Sequence, residues 1–339
     1  SVDWYMWGGF PATNAYVNGY VAERVEELYG VKVRQVPVKD IAEVVSKLLV
    51  EKQAGKVADG SVDLMWINGE NFRTCKNNDL LFGPFTERLP NQKLVDWSKA
   101  PVRNDFGEPV DGLESPWGSA QVVMIYDSRR IAGPPRSVAA LIEWIKAHPG
   151  RFTYPAPPDF TGSVFVRHIF YHVSGDPYAW QGDYDEDRFA QAATATYDTL
   201  KELAPFLWQQ GQTYPENPIR LAHLLADGQV DFALSYHPAE ASKMIQDGLY
   251  PDTVRTFVFD EGTIANTHFV AIPFNAADKA GAMVLANFLL SPEAQLKKAD
   301  PAVWGDFPAI DTRRLDSDWQ AKFKALPRGT ATLSDEVLQ

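Results

Sequence analysis

Cysteine is almost absent from this sequence, because Cys75 is the only one in 339 residues. A single thiol excludes an intrachain disulfide, and in a chain of this length it is more typical of an exported protein than of a cytosolic one. Positive charge is also scarce, since 32 Lys and Arg residues stand against 44 Asp and Glu residues and leave a formal charge of −12. Nucleic-acid binding requires Lys and Arg clustered on one face, so the sequence predicts no nucleic-acid partner.

Long apolar runs are missing as well. No stretch of 18 apolar residues occurs, so no segment is predicted to cross a membrane. No signal peptide is visible, and the chain opens on an apolar segment at residues 2–7, as a mature exported protein does once its leader is removed; a chain trimmed at its start would look the same. The 45% hydrophobic and 22% charged residues are typical of a folded globular protein, and the length favours two domains.

Hydrophobic periodicity predicts alternating strands and helices. Strands are predicted at residues 2–7, 31–38 and 62–67, with helices between them whose apolar residues recur at i, i+3 and i+4. Such alternation implies a parallel sheet with helices on its faces. Further strands are predicted at residues 121–126, 152–154, 231–235, 255–260 and 268–272, and further helices at 137–147, 163–172, 185–203, 277–290 and from 217 and 292 onwards.

One segment near the C-terminal end carries a family resemblance. Phe288–Gln295 reads FLLSPEAQ, with Ser291 in an N-cap position and Pro292 at the first helical position. This stretch resembles the corresponding one of ABC-transporter solute-binding proteins, and it follows a strand and an Ala-rich helix in the family's order. Residues 5–9, 63–72 and 158–163 are similar to a narrower branch, the YnjB-like solute-binding proteins.

The resemblance implies an architecture and a role. The fold would be α/β, with two Rossmann-like lobes and a hinge, as in type II periplasmic binding proteins. Lobe one would comprise residues 1–117 plus 261–339, and lobe two residues 118–260. The protein would be the periplasmic, extracytoplasmic substrate-binding subunit of an ABC importer. It would work as a monomer, trap a small-molecule solute in an interdomain cleft, deliver it to a membrane permease, and need neither catalysis nor a cofactor.

Candidate ligand-binding residues follow from strand-end geometry. In open α/β sheets, ligands bind beyond the carboxyl ends of the strands, often at helix N-termini. Trp7 at a strand end and Trp117 near the expected hinge are predicted to face the ligand, whereas Trp66 lies inside a strand and is predicted to be core. Gly8-Gly9 and Asn68-Gly69 can equally be plain turns, and the Thr-Gly-Ser segment at residues 161–163 can equally be a helix cap. The predicted ligand-binding residues are Trp7, Gly8, Gly9, Asn68, Gly69, Glu70, Trp117, Asp159, Phe160, Thr161, Gly162, Ser163, Tyr236, His237 and Glu261.

The charges near these positions favour a cationic or zwitterionic organic solute of the thiamine or polyamine kind. Carboxylates outnumber basic groups, and aromatic faces beside carboxylates suit a cation. A Gly-Ser turn at a helix N-terminus suits an anion instead, so a carboxylate or phosphate ligand remains the alternative. The carboxylates are Glu70, Asp159, Glu240 and Glu261, and the basic groups are Arg73, His237 and His268.

A metal-dependent hydrolase is the less favoured alternative. His168 and His172 are four residues apart on a predicted helix, which is the spacing of two metal-binding histidines. The residue after His168 is Ile169, where a zinc peptidase needs its Glu base, so no metal site is predicted. The sequence also has no Gly-x-Ser-x-Gly elbow, no phosphate-binding loop and no Gly-x-Gly-x-x-Gly motif.

Overall fold

The computed structural model of the protein describes residues 1–8, 11–180, 184–334 and 337–338. The chain divides into two compact units, each built from two stretches of sequence. The first unit comprises Ser1–Ala120 and Asn266–Pro327, and the second comprises Gln121–Ala265 and Arg328–Gln339. None of the helices in these described ranges is long and apolar enough to cross a bilayer.

Strands and helices alternate along most of the chain. The strands are β1 (Val2–Trp7), β2 (Val33–Val38), β3 (Leu64–Ile67), β4 (Asn104–Asp105), β5 (Glu108–Pro109), β6 (Glu114–Gln121), β7 (Val123–Asp127), β8 (Phe232–Ser235), β9 (Val254–Phe257) and β10 (Ala265–Ala271). The α-helices are α1 (Pro11–Ala15), α2 (Ala22–Tyr29), α3 (Ala42–Gln53), α4 (Glu70–Asn77), α5 (Ala100–Arg103), α6 (Val138–Ala147), α7 (Phe160–Ser174), α8 (Glu186–Leu203), α9 (Pro218–Ala226), α10 (Glu240–Gln246), α11 (Lys279–Leu289), α12 (Pro292–Ala299) and α13 (Ser317–Lys324). A π-helical segment, Tyr16–Val21, joins α1 to α2, and short 3₁₀ turns occur at Thr86–Arg88, Pro90–Leu94, Pro177–Trp180, Ala204–Phe206, Trp208–Gly211 and Thr312–Arg314.

The first unit is built on a five-stranded sheet in the order β2-β1-β3-β10-β6. β1 pairs in parallel with both β2 and β3, as the alternation of strands and helices predicts. β10 pairs antiparallel with β3, so the sheet is mixed rather than wholly parallel. All four residues of β3 are buried, which identifies it as a central strand.

The helix that follows β1 packs its predicted apolar face against this sheet. Val17, Val21 and Val25 are fully buried, as the i, i+4 spacing predicts. Leu28 continues the same spacing, but it is 45% exposed in the last turn of α2. Gly30 ends the helix in a left-handed conformation with φ of +67°, the position that favours glycine.

The second unit contains a three-stranded sheet in the order β8-β7-β9. Both pairings are antiparallel, so the parallel arrangement expected from the first third of the chain does not extend to this unit. Residues 152–154 were predicted to form a strand but are irregular. The rings of Phe152 and Tyr154 instead pack on Phe165 of α7, with ring centroids 5.3 and 4.5 Å apart.

The unit boundaries differ from the predicted lobe boundaries at residues 118–120, 261–265 and 328–339. The last segment belongs to the second unit, because Ala331 is buried there and accepts a hydrogen bond from the Thr256 hydroxyl on β9. The Ala331 N–H donates to Ser242 Oγ at 3.0 Å. These contacts are non-local in sequence, and the sequence alone gives no signal for them.

Candidate functional site

The residues at the carboxyl end of β1 pack against β2 and β3. Trp7 is partly buried, and its ring stands edge-to-face on Trp66 at 5.4 Å. The Gly8 N–H donates to Val38 O at 3.0 Å, and a Cβ at Gly8 would lie 2.8 Å from Pro37 Cβ. Glycine at position 8 is therefore required by the close approach of β2. Gly9, also a predicted ligand residue, lies outside the described residues.

The position of the Trp117 side chain differs from the one predicted from the sequence. Its side chain is fully buried in the core of the first unit, whereas the sequence placed it facing a ligand. Its ring lies 5.1 Å from Trp4, 5.0 Å from Trp66 and 5.5 Å from Trp304. Trp66 is core as expected, with 8% of its surface exposed. The error arose because the expected hinge position outweighed the ordinary tendency of Trp to be buried.

The loop after β3 is largely held by the protein itself. Asn68 Nδ2 donates to Thr267 O at 2.8 Å. Gly69 has φ of +58°, and its N–H donates to Asp105 Oδ2 at 2.6 Å. Glu70, the first residue of α4, is exposed, and its carboxylate is therefore the group of this loop most accessible to a solute.

Two buried acids beneath this loop were missed by the sequence analysis. Asp105 and Glu114 are 1% and 0% exposed. Burial raises the pKa of Asp105 to about 7, even though the hydrogen bond from Gly69 opposes that shift. Burial, together with the nearby Asp105, raises the pKa of Glu114 well above its usual range. Among the residues described, neither oxygen of Glu114 has a hydrogen-bond partner, so its surroundings favour the neutral form of this carboxyl. No sequence motif marks these two positions.

In the second unit, α7 begins at Phe160, three residues before the predicted start, and the Thr-Gly-Ser segment lies inside its first turns rather than capping it. Asp159 is the N-cap, and its Oδ1 accepts from the Gly162 N–H at 2.9 Å. Burial raises the pKa of Asp159. A Cβ at Gly162 would lie 1.9 Å from Pro155 O, so only glycine fits there. Thr161 is buried and Ser163 is partly exposed, which leaves Ser163 as the accessible hydroxyl of this turn.

Two aromatic side chains meet near the carboxyl end of β8. Phe160, at the first position of α7, is 47% exposed and stands edge-to-face on Tyr236 with ring centroids 5.0 Å apart. His237 is fixed by its neighbours, because its N–H donates to Ser235 Oγ at 2.9 Å and its Nδ1 accepts from the Ala239 N–H at 3.2 Å. The structure thus brings together predicted site residues from two separate stretches of the second unit.

Glu261 has a structural contact. Its Oε1 accepts a hydrogen bond from the Val138 N–H at 2.8 Å, at the first turn of α6. A carboxylate at a helix N-terminus satisfies free N–H groups and complements the helix dipole. This contact accounts for the acidic side chain at position 261 without a ligand.

The two histidines of α7 do not form a metal site. His168 is buried, its Nδ1 donates to Val164 O at 2.9 Å, and its Nε2 accepts from the Ile264 N–H at 3.1 Å. Burial lowers the pKa of His168 to about 4. His172 is exposed. Within the described ranges, no three His, Cys, Asp or Glu side chains are grouped so as to hold a metal ion.

Arg167 was also missed. It is partly buried on α7, and its Nη1 is buried with no hydrogen-bond partner in the part of the chain that the structure describes. Seven residues separate it from Phe160 and four from Ser163, so the three residues occupy one face of the helix. Val164 and His168, on the neighbouring face of the helix, are buried. Helical spacing places Arg167 on the same face as Phe160, but the sequence does not show which partners its side chain has.

Comparisons with known proteins give concordant results. Residues 21–327 match the family model described as bacterial extracellular solute-binding protein. The chain is 43% identical over 313 residues to the Escherichia coli K12 protein YnjB. The matched region covers 92% of this chain and 80% of YnjB.

Solved structures resemble the fold of this chain at low sequence identity. A periplasmic thiamin binding protein superposes with a TM-score of 0.65 at 18% identity, covering 99% of this chain and 91% of its own. The spermidine/putrescine ABC transporter substrate-binding protein PotD from Streptococcus pneumoniae superposes with a TM-score of 0.64 at 16% identity, covering 96% of both chains. These similarities confirm the predicted α/β fold class, that of type II periplasmic binding proteins.

Proposed function

Because this chain belongs to the family of bacterial extracellular solute-binding proteins, we propose that it captures a small polar organic solute, cationic or zwitterionic, for import. It is a substrate-binding protein of an ABC importer, it acts outside the cytoplasm, and it is not an enzyme. The match over residues 21–327 carries this conclusion. It also confirms the family resemblance of Phe288–Gln295.

The proposal includes a mode of action. The two units correspond to the two lobes, and they close about a hinge around a solute bound in the cleft between the lobes. The loaded monomer then delivers the solute to a membrane permease. The candidate contacts are Glu70 and the loop before it in the first unit, and Phe160, Ser163 and Tyr236 in the second.

The chemistry of the exposed groups supports a solute with a positive charge. An aromatic ring facing a cation contributes about 0.5–2 kcal/mol, and Phe160 with Tyr236 supplies accessible ring surface. The Glu70 carboxylate is exposed. Two proteins of the same fold are named for thiamin and for spermidine/putrescine, which are cations. These observations favour the thiamine-like and polyamine-like classes.

A purely anionic solute is the second candidate, and Arg167 is the observation that favours it. A partly buried guanidinium with a buried nitrogen that has no partner among the described residues suits a carboxylate or phosphate. The hydrolase alternative has no such support, because both ring nitrogens of His168 are engaged within the protein.

The proposal is tested by identifying the natural solute. The protein is purified without denaturation, its bound small molecule is identified by native mass spectrometry, and the stripped protein is titrated with that molecule. We expect an intact solute, unaffected by a chelator, and a radius of gyration in X-ray scattering that shrinks on binding. Light scattering is expected to give the mass of a monomer.

Three outcomes contradict the proposal. A solute that is chemically altered during incubation would indicate an enzyme. A radius that stays constant at saturating solute would exclude closure about a hinge. Protein that carries no solute from its natural host, and binds neither thiamine, spermidine nor an extract of small molecules, would exclude the binding role itself.

A further inference from the structure

Arg167 differs from the other arginines in its surroundings. Most described arginines contact a carboxylate, a backbone carbonyl or an aromatic ring, as Arg151 does with Asp231 and Arg188 does with Trp180. Within the described ranges, only Arg103, Arg167 and Arg220 have no such contact. Arg103 and Arg220 are exposed, so water solvates them, whereas Arg167 is partly buried and its Nη1 is removed from the surface.

Ser163 offers a second donor on the same face of α7. A Ser or Thr hydroxyl in a helix commonly bonds to the carbonyl four residues earlier. Thr194, Thr196 and Thr199 of α8 all do so, at 2.7–2.9 Å. The Ser163 hydroxyl has no partner among the described residues, and only its backbone N–H bonds to Asp159 O.

The helix brings these two groups together. Residues at i and i+4 are neighbours on a helix surface, and long side chains lean towards the helix N-terminus. This spacing puts the turn that contains Ser163 within reach of the Arg167 side chain. Leaving a buried donor without a partner is unfavourable, because its hydration is lost and not replaced. An oxyanion lying across this turn would restore the hydrogen bonds of both groups, with the planar guanidinium matching two of its oxygens.

We propose that Arg167, assisted by the Ser163 hydroxyl, binds an anionic group of the transported solute, either a carboxylate or a phosphate. This inference rests on the proposed function and narrows it. The solute then carries an oxyanion in addition to any positive charge, so a zwitterion or a phosphorylated cation fits better than a simple polyamine. Phe160 lies seven residues before Arg167, roughly 10 Å along the helix axis, which leaves the aromatic end of this face for the rest of the solute.

The test uses matched variants and matched probes. The variants are Arg167→Gln, Arg167→Lys and Ser163→Ala, with Arg220→Gln as control, because Arg220 is an exposed arginine of the same unit that also has no contact. The probes are thiamine with thiamine monophosphate, putrescine with 4-aminobutyrate, and inorganic phosphate. Within each organic pair the second member carries an anionic group that the first lacks. Binding is measured by calorimetry, and the solute retained during purification by native mass spectrometry.

We expect Arg167→Gln to weaken binding of the retained solute, and of any anionic probe that binds, by tenfold or more. Arg167→Lys keeps part of the affinity, Ser163→Ala loses a smaller factor, and Arg220→Gln binds as the wild type does. Stronger loss with thiamine monophosphate than with 4-aminobutyrate identifies a phosphate, and the reverse a carboxylate. Without any ligand, Arg167→Gln raises the melting temperature by about 2 °C, because an unpaired, partly buried charge is removed.

The inference is wrong if the retained solute has no anionic group, or if Arg167→Gln holds it as tightly as the wild type. Either result leaves the transport role intact, because the wild type still binds a solute. If the wild type retains no solute and binds none of the probes, both the proposed function and this inference fail.

Discussion

The strand ends of the two units carry similar types of residue, but these residues differ in how far packing and hydrogen bonds within the protein already engage them. In the first unit, Trp66 packs on both Trp7 and Trp117, and Asn68 and Gly69 hydrogen-bond within the protein. In the second unit, Phe160 is half exposed, and neither Ser163 nor Arg167 has a side-chain partner in the described part of the chain.

From this difference we infer separate roles for the two regions, stability for the first and recognition for the second. Aromatic and polar residues at strand ends serve as core and framework in the first unit, because their interactions are already satisfied. In the second unit, Ser163 and Arg167 have side-chain donors without a partner among the described residues, which is why we propose them for recognition. We therefore expect substitutions in the first region to affect mainly folding, and substitutions in the second to affect mainly binding.

The largest expected effect is on stability in the first region. Trp117→Ala should lower the free energy of unfolding by about 3–5 kcal/mol, because it leaves a large cavity among three other tryptophans. Phe160→Ala is the matched control, and it should cost less than about 1 kcal/mol, since the ring is half exposed. Urea denaturation measures both. Equal losses for the two variants would remove the contrast between the regions.

The second prediction concerns pH and the first unit. The pKa of Asp105 is about 7 in the folded protein against 3.8 ordinarily, so this carboxyl loses its proton more easily in the unfolded chain. Stability is therefore fully present below about pH 4 and falls as pH rises to about 7, by about 4 kcal/mol for a shift of roughly three units. Asp105→Asn should abolish this part of the pH dependence in denaturation measured from pH 4 to 8. A variant with an unchanged profile would contradict the assignment.

The third prediction concerns His168 in the second unit, where stability changes with pH in the opposite direction. The pKa of His168 is lowered by burial to about 4 from 6.5, so the unfolded chain binds the proton more easily. Stability is then lost as pH falls from about 6.5 to 4, by about 3 kcal/mol. His168→Gln should remove this loss. Hydrogen exchange resolved by peptide should show α7 opening on acidification while α4 becomes more protected; parallel behaviour of the two helices would contradict the comparison.

The smallest effect tests recognition. Phe160→Ala should weaken binding of the retained solute by about fivefold, in line with the loss of roughly 1 kcal/mol of ring contact. Phe189→Ala is the control, since Phe189 is a 43% exposed aromatic residue of the same unit. Titration calorimetry at constant salt measures both. If Phe189→Ala weakens binding as much as Phe160→Ala does, the site is elsewhere on the second unit.

Features that depend on neighbouring residues were predicted well from the sequence. The helices predicted to start near residues 137, 185, 217 and 292 do so, because Ser137, Asp185, Asn217 and Ser291 cap them through their side chains and capping requires only the next three residues. β1 was predicted with its bounds for the same reason, since alternation of burial along a strand is a local pattern.

Features that depend on distant residues were not predictable. The antiparallel direction of β10 and the packing of Ala331 on β9 are set by segments far apart in the sequence. The burial of Trp117 is of the same kind, because three tryptophans from separate segments enclose it. Arg167 was overlooked for another reason: its significance lies in the absence of a partner among the described residues, which no sequence pattern displays.

The position of β10 in the sheet has a consequence for the order of events during synthesis. β10 lies between β3 and β6, although the ribosome makes it long after both. Until it emerges, β6 has no strand to join it to the rest of the sheet. At 5–20 residues per second the interval from β6 to β10 lasts roughly 10–30 s. During that time the nascent chain remains without a finished sheet, which is the state in which a polypeptide can still be threaded through a translocation channel.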